Sequence, residues 1–262
     1  MNILLTNDDG VDAPGLVPLA RSLEQLGHVS VVVPDRERSW VGKAITRFDP
    51  VHVERTWREG VEMYTVSGYP ADAVQLGIHA LEIPRPDLVV SGINIGYNHG
   101  AGFLMSSGTV GAAVEAWISE VPAVAFSTGT MGNWHEWRRR VSASEERAGW
   151  ERLSDVTVFL LELIEKSGLH DHADAISVNM PYDSTVDTER RVTTIARAGY
   201  DRLFTRQEDG SYRHDYGGKI NQFEAVDGSD IDAAHDGAVS ITPLRMPAAA
   251  VVPDDVRQAV ER

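Results

Sequence analysis

Apolar residues fall along this chain in two kinds of run. Blocks of four or five, bounded by turn residues, read as strands, and apolar positions recurring every three or four residues read as helices. Asn2–Thr6 (Asn-Ile-Leu-Leu-Thr) is a strand that stops at Asn7-Asp8-Asp9-Gly10. Leu16, Leu19, Ala20, Leu23 and Leu26 keep helical spacing, and Gly27 supplies a stop, so a helix is predicted over 16–26. Residues 29–33 are β-branched nearly throughout and have no polar face, as in a parallel strand covered on both sides. A strand at 61–66, a helix over 70–81 opened by Pro70, and a buried strand at 87–90 running into Ser91-Gly92-Ile93-Asn94 follow. A glycine-rich loop then leads to a helix over 108–118 and a strand at 123–127.

Strand and helix alternate up to about residue 130, which predicts an α/β fold: a three-layer, doubly wound, Rossmann-like and mostly parallel sheet. After Thr130 the pattern changes. Residues 132–147 are polar apart from Trp134 and Trp137, and carry Arg138-Arg139-Arg140; they predict an exposed helical or lid segment whose charge run is a solvated face. A long helix over 150–166 and strands at 175–179 and 191–196 come next. Residues 203–216 hold Asp209-Gly210 between β-prone flanks, a hairpin signal. A short strand at 239–242 and a terminal helix over 254–262 complete the chain. The whole reads as a single domain, 1–262, with an α/β core over 1–190. A sheet edge, a projecting hairpin and a C-terminal tail occupy 191–262, where ~70 residues are too few for a core of their own.

Composition narrows the classes. The 262 residues, 42% of them hydrophobic, are enough for a full core. There are no cysteines, which removes disulfide frameworks, thiolate metal sites and cysteine nucleophiles. The first residues carry no basic, apolar leader, and no run reaches the ~18 apolar residues of a membrane span, so a cytoplasmic protein is expected. The net charge is −15 and only Lys43, Lys166 and Lys219 are lysines. Such a field repels a nucleic-acid duplex. A phosphate-bearing ligand would need a local cation, a helix N-terminus or a few arginines.

In open α/β sheets ligands collect beyond the carboxyl ends of the strands. Asp8 and Asp9 stand there after the first strand. Two adjacent carboxylates repel each other, and a hard divalent cation resolves that repulsion. An Asx turn or helix cap is the plainer use, but one Asp would suffice for it. Ser39 and Asn94 end neighbouring strands; each alone is a common turn residue, and with the Asp pair they complete an oxygen-rich cluster. Ser106, Ser107, Gly108 and Thr109 open a helix, where free N–H groups and hydroxyls make an anion site, with plain N-capping by Ser107 as the alternative. Asp72, in the first turn of its helix, complements the dipole. His170-Asp171-His172 reads as a solvated loop, and His99 lies in the glycine-rich loop within reach of a substrate. No Walker-type or Gly-x-Gly-x-x-Gly signature is present.

Four motifs carry a resemblance. Residues 2–10 (Asn-Ile-Leu-Leu-Thr-Asn-Asp-Asp-Gly), 33–39 (Val-Pro-Asp-Arg-Glu-Arg-Ser), 91–98 (Ser-Gly-Ile-Asn-Ile-Gly-Tyr-Asn) and 107–113 (Ser-Gly-Thr-Val-Gly-Ala-Ala) resemble the SurE survival-protein family of 5′/3′-nucleotidases. Residues 178–181 and 239–244 are similar to its later motifs. The resemblance implies a divalent-metal-dependent phosphomonoesterase acting on nucleoside 5′-monophosphates, with 3′-monophosphates as a further substrate. It implies one Mg²⁺ or Mn²⁺ per subunit, with Asp8, Asp9, Ser39 and Asn94 as ligands. Asp8, Asp9 and Ser107 become the catalytic residues, and Asn94, Asn98, Ser106, Ser107, Gly108 and Thr109 the substrate- and phosphate-binding set. A homodimer or homotetramer, assembled through the hairpin and the C-terminal segment, is implied too. The chain departs from the family at Trp40-Val41-Gly42-Lys43, where glycine and small polar residues are usual, and at 99–105, which lacks acidic or polar filling. A catalytically silent nucleotide-binding or assembly protein of this fold is the alternative. A phosphorylation-receiver module also pairs acids after its first strand, but needs a lysine where this chain has Ser127-Thr128.

Overall fold

In a computed structural model, residues 1–216, 220–222, 227–246, 253 and 257–258 are described. Nine strands form the central sheet. In chain order they are β1 (Asn2–Thr6), β2 (His28–Pro34), β3 (Val53–Arg58), β4 (Val61–Val66), β5 (Leu88–Ile95), β6 (Ala123–Gly129), β7 (Ala175–Pro181), β8 (Arg190–Val192) and β13 (Val239–Leu244). Their spatial order is β3-β4-β2-β1-β5-β6-β7-β13-β8. The pairings from β4 to β7 are all parallel, and antiparallel partners appear only at β3–β4 and β13–β7. This is the expected doubly wound α/β sheet.

Alternation along the strands builds the three layers. Ile3, Leu5, Val31, Val33, Val90 and Phe126 face helices α1 (Leu16–Leu23) and α6 (Arg147–Ser167) in one buried cluster. Leu4, Val32, Val89 and Ala125 face α2 (Pro70–His79) and α4 (Gly108–Ile118) in the other. Trp150 of α6 is fully buried and donates its indole N–H to Val141 O at 2.8 Å. Pro70 opens α2, and Asp72, at its third position, accepts from Tyr69 N at 2.8 Å, as the first-turn acid predicts.

Several boundaries differ from the sequence reading. The first helix ends at Leu23 rather than Leu26; a further turn, Leu26 N to Leu23 O at 2.9 Å, intervenes before Gly27. The edge strand β3 is missing from that reading because its solvated flank shows no apolar run; it pairs with β4 through Glu59 and Gly60, both at positive φ. The glycine-rich loop contains a helix, α3 (Gly100–Ser106). Within 132–147 lies α5 (Trp134–Val141). Arg139 and Arg140 are exposed as expected, but Arg138 is half-buried against Glu37, and Trp137 and Val141 are buried, so the segment docks on the body and is no free solvated helix. The strand predicted at 191–196 divides into β8 and β9 (Ala198–Tyr200). β10 (Phe204–Arg206) and β11 (Tyr212–His214) form the hairpin predicted at Asp209-Gly210, with Gly210 at φ +84°. A short strand, β12 (Ile220–Gln222), pairs with β9, and α7 (Asp230–His235) precedes β13. Of the terminal helix predicted over 254–262 only Arg257 and Gln258 are described, both helical. No helix among the described residues is long and apolar enough to cross a membrane.

Candidate functional site

Strand order reverses between β1 and β5, and a crevice opens there outside the carboxyl ends of the strands. β1 delivers Asn7, Asp8 and Asp9 to it. Asn7 makes the turn: its amide donates to Gly10 O and its Oδ1 accepts from Gly10 N, both at 3.0 Å. A side chain is barred at Gly10, where φ is +89° and a Cβ would lie 2.6 Å from the Arg36 backbone. With the turn made by Asn7, neither Asp8 nor Asp9 is needed for it.

Asp8 is 4% exposed. Its Oδ1 accepts from Thr109 Oγ1 at 2.6 Å, and Gly108 leaves it room, since a Cβ there would come within 2.8 Å of Asp8 Cβ. Burial pushes the Asp8 carboxyl up to about 6, against the pull of hydrogen bonds from the Thr109 side chain and backbone. Asp9 Oδ2 accepts from Ile95 N at 3.0 Å. Burial, reinforced by the charge of Asp8, pushes Asp9 up to about 8. Among the described residues no Lys or Arg forms an ion pair with either carboxylate. Asp8 is buried and Asp9 half-buried, and two such acids without an ion-pair partner are an arrangement that proteins neutralise by protonation or by a bound ion.

The other expected ligands come from neighbouring strands. Asn94, near the end of β5, donates Nδ2 to Gly96 O at 2.8 Å, so its carbonyl oxygen is the side-chain atom that could accept from or ligate a guest. Ser39, beyond β2, is exposed and donates to Glu37 Oε1 at 2.7 Å; Glu37 is gripped by Arg138 of α5 through contacts of 2.9 and 2.8 Å. Ser107 caps α4 by accepting from Val110 N at 3.1 Å. Ser106 closes α3 and bonds back to Gly102 O at 3.0 Å. Asn98 is buried, with its amide on Ser127 Oγ at 2.8 Å.

A cavity of about 550 Å³ gathers Asp8, Ser39, Asn94, Asn98, Ser106 and Ser107 on one wall. Asp9, Gly108 and Thr109 stand behind that wall, against Asp8 and Ile95. Trp40 and Phe103, from the two segments that depart from the family, also line the cavity, and so do Arg138 and, at the foot of the hairpin, His214, Asp215 and Tyr216, which sequence reasoning missed. These are separated by up to 176 positions, and no local pattern joins them. His170 and His172 lie in a short turn without buried residues, away from this cavity, as a solvated loop would.

Fold and site together define a doubly wound α/β protein with an acid-floored ligand cavity at its topological switch point. The chain belongs to the Survival protein SurE family, whose sequence model matches residues 3–203. It is 36% identical over 248 residues to the 5′-nucleotidase SurE of Methanocella arvoryzae, covering 93% of this chain and 91% of that protein. It is 40% identical over 248 residues to the 5′-nucleotidase SurE of Syntrophotalea carbinolica, covering 94% and 92%. The crystal structure of the SurE protein from Aquifex aeolicus superposes with a TM-score of 0.73 at 30% identity, over 99% of this chain and 98% of that one.

Proposed function

We propose that this chain is a divalent-metal-dependent nucleotidase that hydrolyses nucleoside 5′-monophosphates, and 3′-monophosphates as a second activity, to nucleoside and phosphate. The observation that carries it is the pair of adjacent carboxylates with no ion-pair partner among the described residues, buried Asp8 on the wall and half-buried Asp9 behind it, in a cavity large enough for a nucleotide, whose volume lies in the ~300–1,000 Å³ range of small-molecule sites. The relatives' activity supports the same reading.

The donor set fits a hard cation: two carboxylates, a hydroxyl and an amide carbonyl, all oxygen. Asp8, Asp9, Ser39 and Asn94 would hold one Mg²⁺ or Mn²⁺. When bound, such an ion offsets phosphoryl charge and polarises the ester. The chain's own groups do the rest. Thr109 fixes Asp8 as nucleophile, or as the base that takes a proton from an attacking water. Ser106, Ser107 and the amide at Gly108 bind the phosphoryl oxygens at the start of α4, the Thr109 amide being held by Asp8, and Asn98 helps orient them. Glu37 holds Ser39 in place, and Arg138 holds Glu37. We read the chain as one domain whose hairpin and C-terminal segment build a cytoplasmic homodimer or homotetramer, which light scattering of the purified protein would resolve.

Phosphate release from nucleoside monophosphates with Mn²⁺ or Mg²⁺ tests the reading. Activity should fall to background with EDTA and in Asp8→Ala, and the calorimetric heat of Mn²⁺ binding should vanish in the same variant. Release that persists through both treatments would refute it. Labelled phosphate trapped on the protein after acid quench would favour Asp8 as nucleophile.

A further inference from the structure

The cavity has two ends of different chemistry. The Asp8 end is polar. The other is walled by rings: Trp40 is a hub, its centroid 5.8 Å from Phe103, 5.1 Å from Tyr200, 5.0 Å from His214 and 5.5 Å from Tyr216. Phe103 and Tyr216 also meet, at 5.5 Å. Rings that brace one another lose little further freedom when a planar ligand joins them, so stacking there is realised as affinity. Four elements supply these rings: the segment after β2, helix α3, strand β9 and the hairpin foot.

Between the two ends stands His99. It is 3% exposed, lines the cavity, stacks on Tyr97 at 5.0 Å and meets Phe103 edge-on at 6.2 Å. Neither of its ring nitrogens has a hydrogen-bond partner among the described residues. A buried imidazole left so costs free energy unless something that enters the cavity completes it. Burial also holds it neutral, so it can both donate and accept. It follows Asn98 in the chain and touches the Phe103 ring, so it borders both the polar and the aromatic lining of the cavity.

We propose that the aromatic end of this cavity is the nucleoside subsite, with the Trp40 cluster stacking on the base and His99 hydrogen-bonding a sugar hydroxyl. This deepens the phosphomonoesterase reading and rests on it only for the phosphate end. The subsite selects nucleotides over base-free phosphomonoesters by stacking, which tolerates any base, and the ribose by one hydrogen bond.

The test compares AMP, 2′- and 3′-deoxy-AMP and ribose 5-phosphate, together with calorimetry of adenosine on the protein without metal. Trp40→Ala should lower kcat/KM for AMP and adenosine affinity about tenfold, the scale of one base–aromatic stack, while kcat/KM for ribose 5-phosphate holds. His99→Phe should erase the preference for AMP over one of its deoxy forms, and His99→Gln should restore part of it. Equal losses on AMP and ribose 5-phosphate in Trp40→Ala, or unchanged adenosine binding, would overturn the subsite. Should wild-type protein hydrolyse none of these esters, the catalytic reading fails, and adenosine binding still decides the subsite by itself.

Discussion

At the residue scale, the most informative assignment is the division of labour within Asn7-Asp8-Asp9. The three look interchangeable in sequence, yet Asn7 alone closes the turn onto Gly10. An amide can donate and accept at once, and a carboxylate cannot. His99 supplies a pH prediction at this scale. Burial lowers its pKa to about 4 from an ordinary 6.5. Between those values the unfolded chain binds a proton there that the folded chain refuses, so its contribution to stability is full above 6.5 and is lost as pH falls. Urea unfolding should therefore show wild type losing about 1.4 kcal/mol per pH unit relative to His99→Phe across that window. The carboxylates cancel in the difference. Parallel stability curves for the two proteins would show that His99 is not held neutral.

At the scale of elements, the strands and long helices were legible because burial imposes a period on them. β1, β4 and α4 match their sequence bounds, and so does the hairpin at Asp209-Gly210. α3 was not legible. Its Gly100-Ala-Gly-Phe-Leu-Met-Ser has low helix propensity, and it forms because tertiary partners hold it. Asp230, buried on α7, accepts from Gly100 N at 2.8 Å and from Ala196 N at 2.9 Å. Gly102 packs so closely on β9 that a Cβ would lie 2.8 Å from Gly199 Cα. For α4 the prediction concerns its cap. Ser107→Ala removes the acceptor for Val110 N and should cost about 1 kcal/mol by chemical denaturation, and Ser107→Gly only a few tenths. A larger loss of activity than of stability would mark the hydroxyl as a phosphate contact, whereas matched losses would reduce Ser107 to a cap.

At the scale of the molecule, charge is the dominant feature. The chain carries −15 overall, and Arg138, already paired with Glu37, is the only Lys or Arg on the described cavity wall. An incoming phosphomonoester dianion therefore approaches against a repulsive field. Raising ionic strength from about 10 to 150 mM shortens the Debye length from ~30 to ~8 Å. With metal saturating, kcat/KM for AMP should rise over that range, and for an uncharged ligand such as adenosine the association rate should not change. A fall with salt would mean that the cavity presents a positive face.

The α/β alternation, the acidic strand end, the capped helix facing it and the family are legible along the chain, because each is written in residues a few positions apart. That Asn7 frees the two aspartates, that 100–106 is helical, and that Trp40, Phe103, His99 and the hairpin foot meet in one cavity came from the folded packing alone. Those outcomes depend on which burial and hydrogen-bond partners the chain brings together across long separations, and local pattern carries no record of them.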